Sequence, residues 1–340
     1  MSNMKDIAKK AQVSVATVSK VLNGTGNISE ETTRKILEIA EELNYHPNLY
    51  ARNLKTGSSR TIGILAEDLT VFNTPPVIDG IGACCEEKGY RYLLENLRIN
   101  TLGIDPDNDK DRYSEIKNNA VSHMSSMQVD GIIYLGCHSH RVVPSIFENN
   151  IPFVCAYCIS PSLAIPSVLY DDQHAAYEAV SLLIKKGHKK IATITGKVSS
   201  VHTRWRLTGY QESLYDHNIP YNPGYVVNGD WSRDSGYNAT KKLIKQHVTA
   251  IFSHNDEMAM GVIDACNDAG IQVGKDIALI GFDNRELSTV CRPTLTTVEP
   301  PLFDIGYKSA EGLISKIEHK EDILRGEVRL PCRIIERDST

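Results

Sequence analysis

From residue 61 onward, short apolar runs alternate with amphipathic stretches, and this alternation constrains the fold more than any other feature of the chain. Strands are expected at 61–66, 90–95, 131–135, 151–156, 190–195, 225–227, 250–253, 278–281 and 295–298. Helices are expected between them, at 175–186, 204–217, 235–245, 257–269 and 303–316. A strand followed by a crossover helix, repeated many times, folds into parallel sheets flanked by helices. No G-x-G-x-x-G follows a strand, and neither a Walker loop nor a G-x-S-x-G elbow occurs, so nothing here is built for dinucleotide, phosphoryl or acyl chemistry.

At 340 residues the chain is long enough for two or three compact units. No run of about twenty apolar residues occurs, which argues against a membrane span. The opening MSNMKDIAKKAQ has no apolar core behind its charges, so no secretory signal is expected and a cytoplasmic protein is. Eight cysteines are scattered through apolar segments rather than spaced as a disulfide framework. Cys155 and Cys158 form a lone C-x-x-C and read as small buried hydrophobes. Cys137-His138-Ser139-His140 has no second ligand cluster in the sequence and reads as a polar loop after a strand. Neither a metal nor a cofactor is expected.

Net charge is −5, but it is unevenly spread. Residues 1–60 hold nine Lys/Arg against six Asp/Glu, and the remainder 28 against 36. A basic head on an acidic body suits phosphate contact at one end.

Within that head, 5–11 reads as a short helix with Ile7, Ala8 and Ala11 on one face. Gln12, Val13 and Ser14 make a tight turn, and Ser14 is a good N-cap for a helix over 15–23. Val18, Val21 and Leu22 point inward from it, leaving Ala16, Ser19, Lys20 and Asn23 outside. Ser29 caps a third helix whose first turn holds Glu30 and Glu31. Two short helices joined by three residues and backed by a third form a helix-turn-helix unit, whose second helix enters the DNA major groove. On spacing alone, a plain three-helix bundle would fit as well.

The string DIAKKAQVSVATVSKVLN, continued through SEETTRKILEIAEELNYHPN to ARNLKTGSSRTIGIL, closely resembles the head of the lactose-repressor/galactose-repressor family of bacterial transcription regulators. The resemblance implies base-edge roles for Val15, Ala16 and Lys20, with Thr17 beside them. It implies phosphate contacts for Ser19, Asn23, Asn27, Ser29 and Tyr45. Gln12 stands where glycine is common, and Lys20 where arginine is common, so the charge is kept but the bidentate fork is lost. Residues 47–60 would be a hinge of about two helical turns, too short to persist alone in water. In the family such a hinge folds on DNA beside its dimer mate, which implies DNA-facing positions for Asn48, Ala51, Arg52 and a minor-groove wedge at Leu54.

The same resemblance runs more weakly to the end of the chain, through LLIKKGHKKIATITG, RLTGY, NGDWSRDSGY, NDEMAMGVIDA, DIALIGFDN and PTLTTVEPP. The implied whole is an all-α helix-turn-helix head at 1–46, a hinge at 47–60, and a two-lobed α/β core of the periplasmic-binding-protein type at 61–340. Lobe one would take about 61–158 and 290–322, and lobe two 159–289 and 323–340. A sugar-like effector would sit between the lobes, against Arg206, Trp231, Asn255 and Asp283. Phe72, Asn73 and Thr74 would lie in a loop closing over it, and Tyr157 stands where a carboxylate is frequent. The expected molecule is a homodimer on a pseudo-palindromic duplex, non-enzymatic, and without a leucine-heptad tail for tetramer formation. A rival reading makes the core a docking surface for a phosphorylated phosphocarrier protein.

Overall fold

The computed structural model describes residues 3–22, 25–45, 58–104, 108–142, 151–320 and 323–340. The chain divides into two compact units, Met1–Ser59 and Arg60–Thr340. The expected hinge helix, with Asn48, Ala51, Arg52 and Leu54, lies outside the described residues, as does Asn23.

The first unit is built from helices α1 (Met4–Ala11), α2 (Val15–Leu22) and α3 (Glu30–Glu42). Ile7, Ala8, Ala11, Val18, Ile36, Ile39 and Ala40 form their common core, with Val21, Leu22 and Leu43 packed around it. The apolar spacing read from the sequence meets in this core except at Leu37, expected on the buried face of the third helix with Ile36, Ala40 and Leu43 but half exposed.

In the second unit the described strands form two six-stranded sheets. The first contains β1 (Thr61–Ala66), β2 (Arg91–Asn96), β3 (Gly131–Leu135), β4 (Phe153–Ala156), β5 (Ser167–Tyr170) and β11 (Glu327–Leu330), in the order β11-β5-β4-β3-β1-β2. The second contains β6 (Ile191–Thr195), β7 (Val226–Asn228), β8 (Ala250–Ser253), β9 (Ala278–Phe282), β10 (Thr296–Glu299) and β12 (Arg333–Ile335), in the order β12-β10-β9-β8-β6-β7. Pairing is parallel except for β10 with β12, which is antiparallel. The central strands are buried on both faces, as helix-covered parallel sheets must be.

Helices α4 (Thr74–Lys88), α5 (Lys110–Ser126) and α11 (Leu302–Ile317) accompany the first sheet. Helices α6 (Asp172–Lys185), α7 (Val201–Asp216), α8 (Arg233–Ile244) and α9 (Asp256–Asp268) accompany the second, and a short α10 (Leu287–Val290) precedes β10. The backbones of α4 and α11 meet at Gly80 and Gly306. A Cβ on Gly80 would lie 2.0 Å from the Phe303 carbonyl oxygen, and one on Gly306 1.9 Å from that of Val77. Only glycine permits that approach.

Strand membership moves the lobe boundaries. Residues 167–170 and 327–330 belong to the first sheet, and 296–299 to the second. The chain therefore crosses near Asp171, at Pro300-Pro301 and at Pro331-Cys332, each about ten residues beyond the crossings expected from sequence. The cause is plain: β5, β11 and β12 are three or four residues long and carry no alternating pattern.

Candidate functional site

Two surfaces carry the candidate residues, one on each unit. On the head, α1 opens with a capping box. The Asn3 side chain accepts from the Lys5 and Asp6 amides at 2.8 and 3.3 Å, and the Asp6 carboxylate accepts the Asn3 amide at 2.9 Å. It closes on Gln12 at φ 60°, the left-handed C-cap position. That explains why glycine would suit position 12. Ser14 Oγ accepts the Thr17 amide at 3.0 Å and so starts α2.

Val18 turns fully into the core, whereas Val15 keeps 40% of its surface exposed beside exposed Ala16 and Lys20. Thr17 and Ser19 are half-buried, and the Thr17 hydroxyl is 2.8 Å from that of Ser14. Asn27 is exposed. Ser29 is spent on capping α3, accepting the Thr32 amide at 3.3 Å, and Tyr45 packs half-buried on the core.

In the second unit, the candidate cleft residues converge from both sheets. Arg206, on α7, is nearly inaccessible. Its Nε donates to Asp172 Oδ1 at 2.6 Å, Nη2 to the Tyr170 hydroxyl at 2.9 Å, and Nη1 to the His254 carbonyl. The guanidinium carbon stacks 3.5 Å from the Phe282 ring centre and lies 5.9 Å from that of Trp231. Asp172 also meets His202 Nδ1 at 2.9 Å, and His202 Nε2 accepts the Ser139 amide at 3.1 Å. Since a backbone N–H can only donate, Nδ1 carries the proton shared with Asp172. This chain, Arg206–Asp172–His202–Ser139, ties the second sheet's helices to a loop of the first. Burial pushes the Asp172 carboxyl up, but His202 and Arg206 outweigh it and hold the group below its usual range.

Tyr157 sits on the first-sheet side, its hydroxyl 3.2 Å from that of Tyr170 and its ring stacked on His202. The Trp231 indole lies flat on Gly196, where a Cβ would come within 2.0 Å of the ring. Asp283 follows β9, and burial pushes its carboxyl up to about 8 against the pull of Arg206. Tyr157, Trp231 and Asp283 all have positive φ, at 56°, 78° and 108°. Such backbones are unfavourable for residues with a Cβ and cluster where function fixes the geometry. Beside them a groove of about 700 Å³ is lined from both lobes, by Phe72 and by Asp283, Arg285, Glu299, Leu302 and Arg333 among others. Its size is that of a small-molecule site.

Two expectations change. The Asn255 amide is tied within its own lobe: Oδ1 caps α9 by accepting the Met258 amide, and Nδ2 donates to the Trp231 carbonyl. It positions the tryptophan loop. Nor do Phe72, Asn73 and Thr74 form one closing loop, since Thr74-Pro75-Pro76 open α4, as prolines may at a helix start. Asn73 donates from Nδ2 to the Cys137 carbonyl, Thr74 donates to the Asp68 carbonyl, and only Phe72 is exposed, with the Arg285 guanidinium 5.3 Å from its ring centre.

Sequence reading missed Tyr170, Asp172, His202 and His254. A signal existed for one: His202 and Arg206 are four apart, hence on one face of α7. His254 is fully buried with neither ring nitrogen partnered. All eight cysteines are free thiols, and Cys84, Cys85, Cys155, Cys158 and Cys266 are buried as small hydrophobes, burial pushing Cys84 and Cys85 up to about 11 and about 12.

Comparison with known proteins finds matches to both units. Residues 3–48 match "Bacterial regulatory proteins, lacI family", and residues 180–340 match "Periplasmic binding protein-like domain". Catabolite control protein A of Priestia megaterium is 37% identical over 339 residues, 98% of each chain. The transcriptional regulator RegA of Clostridium acetobutylicum is 35% identical over 99% of each, and the transcriptional repressor CytR of Escherichia coli K12 is 31% identical over 100% of this chain and 96% of its own. Among solved structures, a lac repressor dimer bound to operator and the anti-inducer ONPF superimposes with a TM-score of 0.79 at 26% identity, over 99% of this chain and 98% of that one.

Proposed function

Because the chain belongs to the lacI family of bacterial regulatory proteins, and is a DNA-binding transcription regulator, we propose that it is a cytoplasmic homodimeric repressor released by a small effector. The reading has each head present Val15, Ala16 and Lys20 to base edges. Val15 packs on a thymine methyl and Lys20 donates to guanine O6 or N7. Ser19, Asn27 and Tyr45 stand near phosphates, with Asn23, Asn48, Ala51, Arg52 and Leu54 continuing the contact through the hinge. Two heads and two hinges on one dimer imply a roughly two-fold operator.

The observation that carries the effector half is the buried network centred on Arg206, which reaches from α7 through Asp172 and His202 to Ser139 on the opposite lobe. A ligand entering between the lobes must exchange its own polar groups for some of these bonds, and so changes how the lobes meet. That gives the differential interaction any ligand-driven shift requires. Trp231 and Tyr157 supply ring faces, and a protonated Asp283 supplies a donor, which suits a polar ring such as a sugar, glycoside, sugar phosphate or nucleobase. The core serves as a binding unit and not as an enzyme.

A second reading is favoured by two observations. All the nitrogens of Arg206 already have partners within the protein, and the catabolite-control relative matches along nearly the whole chain. On that reading the core answers to a phosphorylated phosphocarrier protein. Thermal unfolding against a panel of sugars, sugar phosphates, glycosides, nucleobases and phosphorylated phosphocarrier separates the two. A ligand at a hundred times its Kd adds about 2.7 kcal/mol. A small-molecule shift abolished by Asp283→Ala supports the cleft; a shift from the phosphocarrier alone supports the second reading.

A further inference from the structure

Trp231 and Asp283 stand where the strands of the second sheet end, whereas a separate groove opens where those strands begin. It encloses about 370 Å³. Lys189 and Lys190, just before β6, form one wall; His217, just after α7, and Tyr221, Asn222 and Tyr225, before β7, form the other. The five residues of β6 separate this groove from Gly196 and the Trp231 indole by about 16 Å. It is therefore no part of the cleft.

Charge sets the groove apart. No aspartate or glutamate lines it, while the groove between the lobes is lined by Asp283, Glu286, Glu299 and Asp304. Other lysines nearby have an ordinary role. Lys185 in the last turn of α6, and Lys241 and Lys242 in that of α8, answer the negative ends of their helix dipoles, and Lys186 pairs with Glu336 at 3.1 Å. Lys189 and Lys190 lie in no helix and are exposed, and among the described residues neither has an ion-pair partner. Asp216, beside His217 in the chain, accepts the Tyr177 hydroxyl at 3.1 Å instead. Two adjacent ammonium groups without a counter-ion repel each other, and an anion held between them relieves that repulsion.

The walls are fixed before any ligand arrives. The Thr249 amide donates to the Lys190 carbonyl at 2.9 Å, and Gln246 Nε2 donates to the Gly224 carbonyl at 2.9 Å. Asn222 Oδ1 accepts the Gly224 amide at 2.9 Å, which leaves its Nδ2 to donate, together with the hydroxyls of Tyr221 and Tyr225. Cations and neutral donors suit the oxygens of a phosphate monoester. Tyr221, 46% exposed, adds a ring face on which a flat ring can stack. The volume lies at the lower end of the range for small-molecule sites.

We propose that this groove is a second ligand site, which binds a phosphate monoester carried on a planar ring, of mononucleotide size. The phosphate sits between Lys189 and Lys190, and the ring lies against Tyr221. The site stands whether or not the cleft takes a sugar-like effector.

The test is calorimetric titration of the full-length protein at low salt with the four ribonucleoside 5′-monophosphates, the matching nucleosides and inorganic phosphate. At least one monophosphate should saturate a single site per chain, with its nucleoside and inorganic phosphate each binding at least tenfold more weakly. A Lys189→Ala/Lys190→Ala double variant should lose at least tenfold in affinity with thermal unfolding unchanged, both positions being exposed. Asp283→Ala, in the cleft, should bind as the parent does. Absence of saturable binding by all four monophosphates, equal binding of the nucleoside or of inorganic phosphate, undiminished binding by the double variant, or loss of binding in Asp283→Ala would overturn the proposal.

Discussion

Single residues carry the clearest energetic consequences. Arg206 uses three nitrogens on three separate acceptors inside the protein. Arg206→Ala should cost about 3–5 kcal/mol in chemical denaturation, because Asp172 is left buried without its cation. Arg206→Lys should recover little of it, since an ammonium cannot reach three fixed directions at once. A loss below about 1 kcal/mol would mean the network is looser than the geometry states. Asp283 sets a pH dependence. Its folded-state carboxyl titrates near 8, above the unfolded value of about 4, so between these limits the folded protein holds the extra proton. Stability from this group is therefore full below about pH 4 and declines as pH rises towards 8. Asp283→Asn should flatten that decline in denaturation midpoints compared between pH 5 and 8.

At the level of elements, the head repays inspection at its turn. Gln12 occupies a left-handed position that costs a residue with a Cβ roughly 1–2 kcal/mol. Gln12→Gly should raise head stability by about 1 kcal/mol, part of the gain being lost to the freer unfolded chain. Unchanged or lowered stability, followed by circular dichroism, would contradict the cap geometry. The proposed hinge calls for a different test, set by the minor-groove wedge assigned to Leu54. Leu54→Ala should weaken binding to a specific duplex far more than to random DNA, and equal loss on both would deny it a wedge role.

Elements also show what could be read before the structure. Helices α1–α3 were legible because caps, turn and apolar spacing agree on one answer. The long central strands were legible because both faces are apolar. Strands β5, β11 and β12 were not, being short segments stabilised by neighbours far along the chain, and the lobe crossings were misplaced with them. Helix α4 was obscured because prolines at its start resemble a loop. Of the side chains gathered around Arg206, the sequence motifs pointed to Arg206, Trp231 and Asp283, whereas Asp172, His202 and Tyr170 emerge only when α6, α7 and β5 are brought together. For Asn255 the sequence motif placed the residue but not the neighbours its amide bonds, the Met258 amide and the Trp231 carbonyl.

At the scale of the molecule, a basic DNA-reading head and an acidic two-lobed core divide recognition from response. Among the described residues, no helix is long and apolar enough to cross a membrane. In the core, the bonds from Asp172 through His202 to Ser139 span the two lobes. Everything downstream rests on the heads reading a two-fold sequence. The most direct measurement is selection of duplexes from a random pool by the full-length protein, sequenced after several rounds. The account expects one enriched, roughly palindromic site bound by a dimer, with Lys20→Ala relaxing the preference at symmetric positions in both halves. Enrichment of an asymmetric site, or of none, would contradict it.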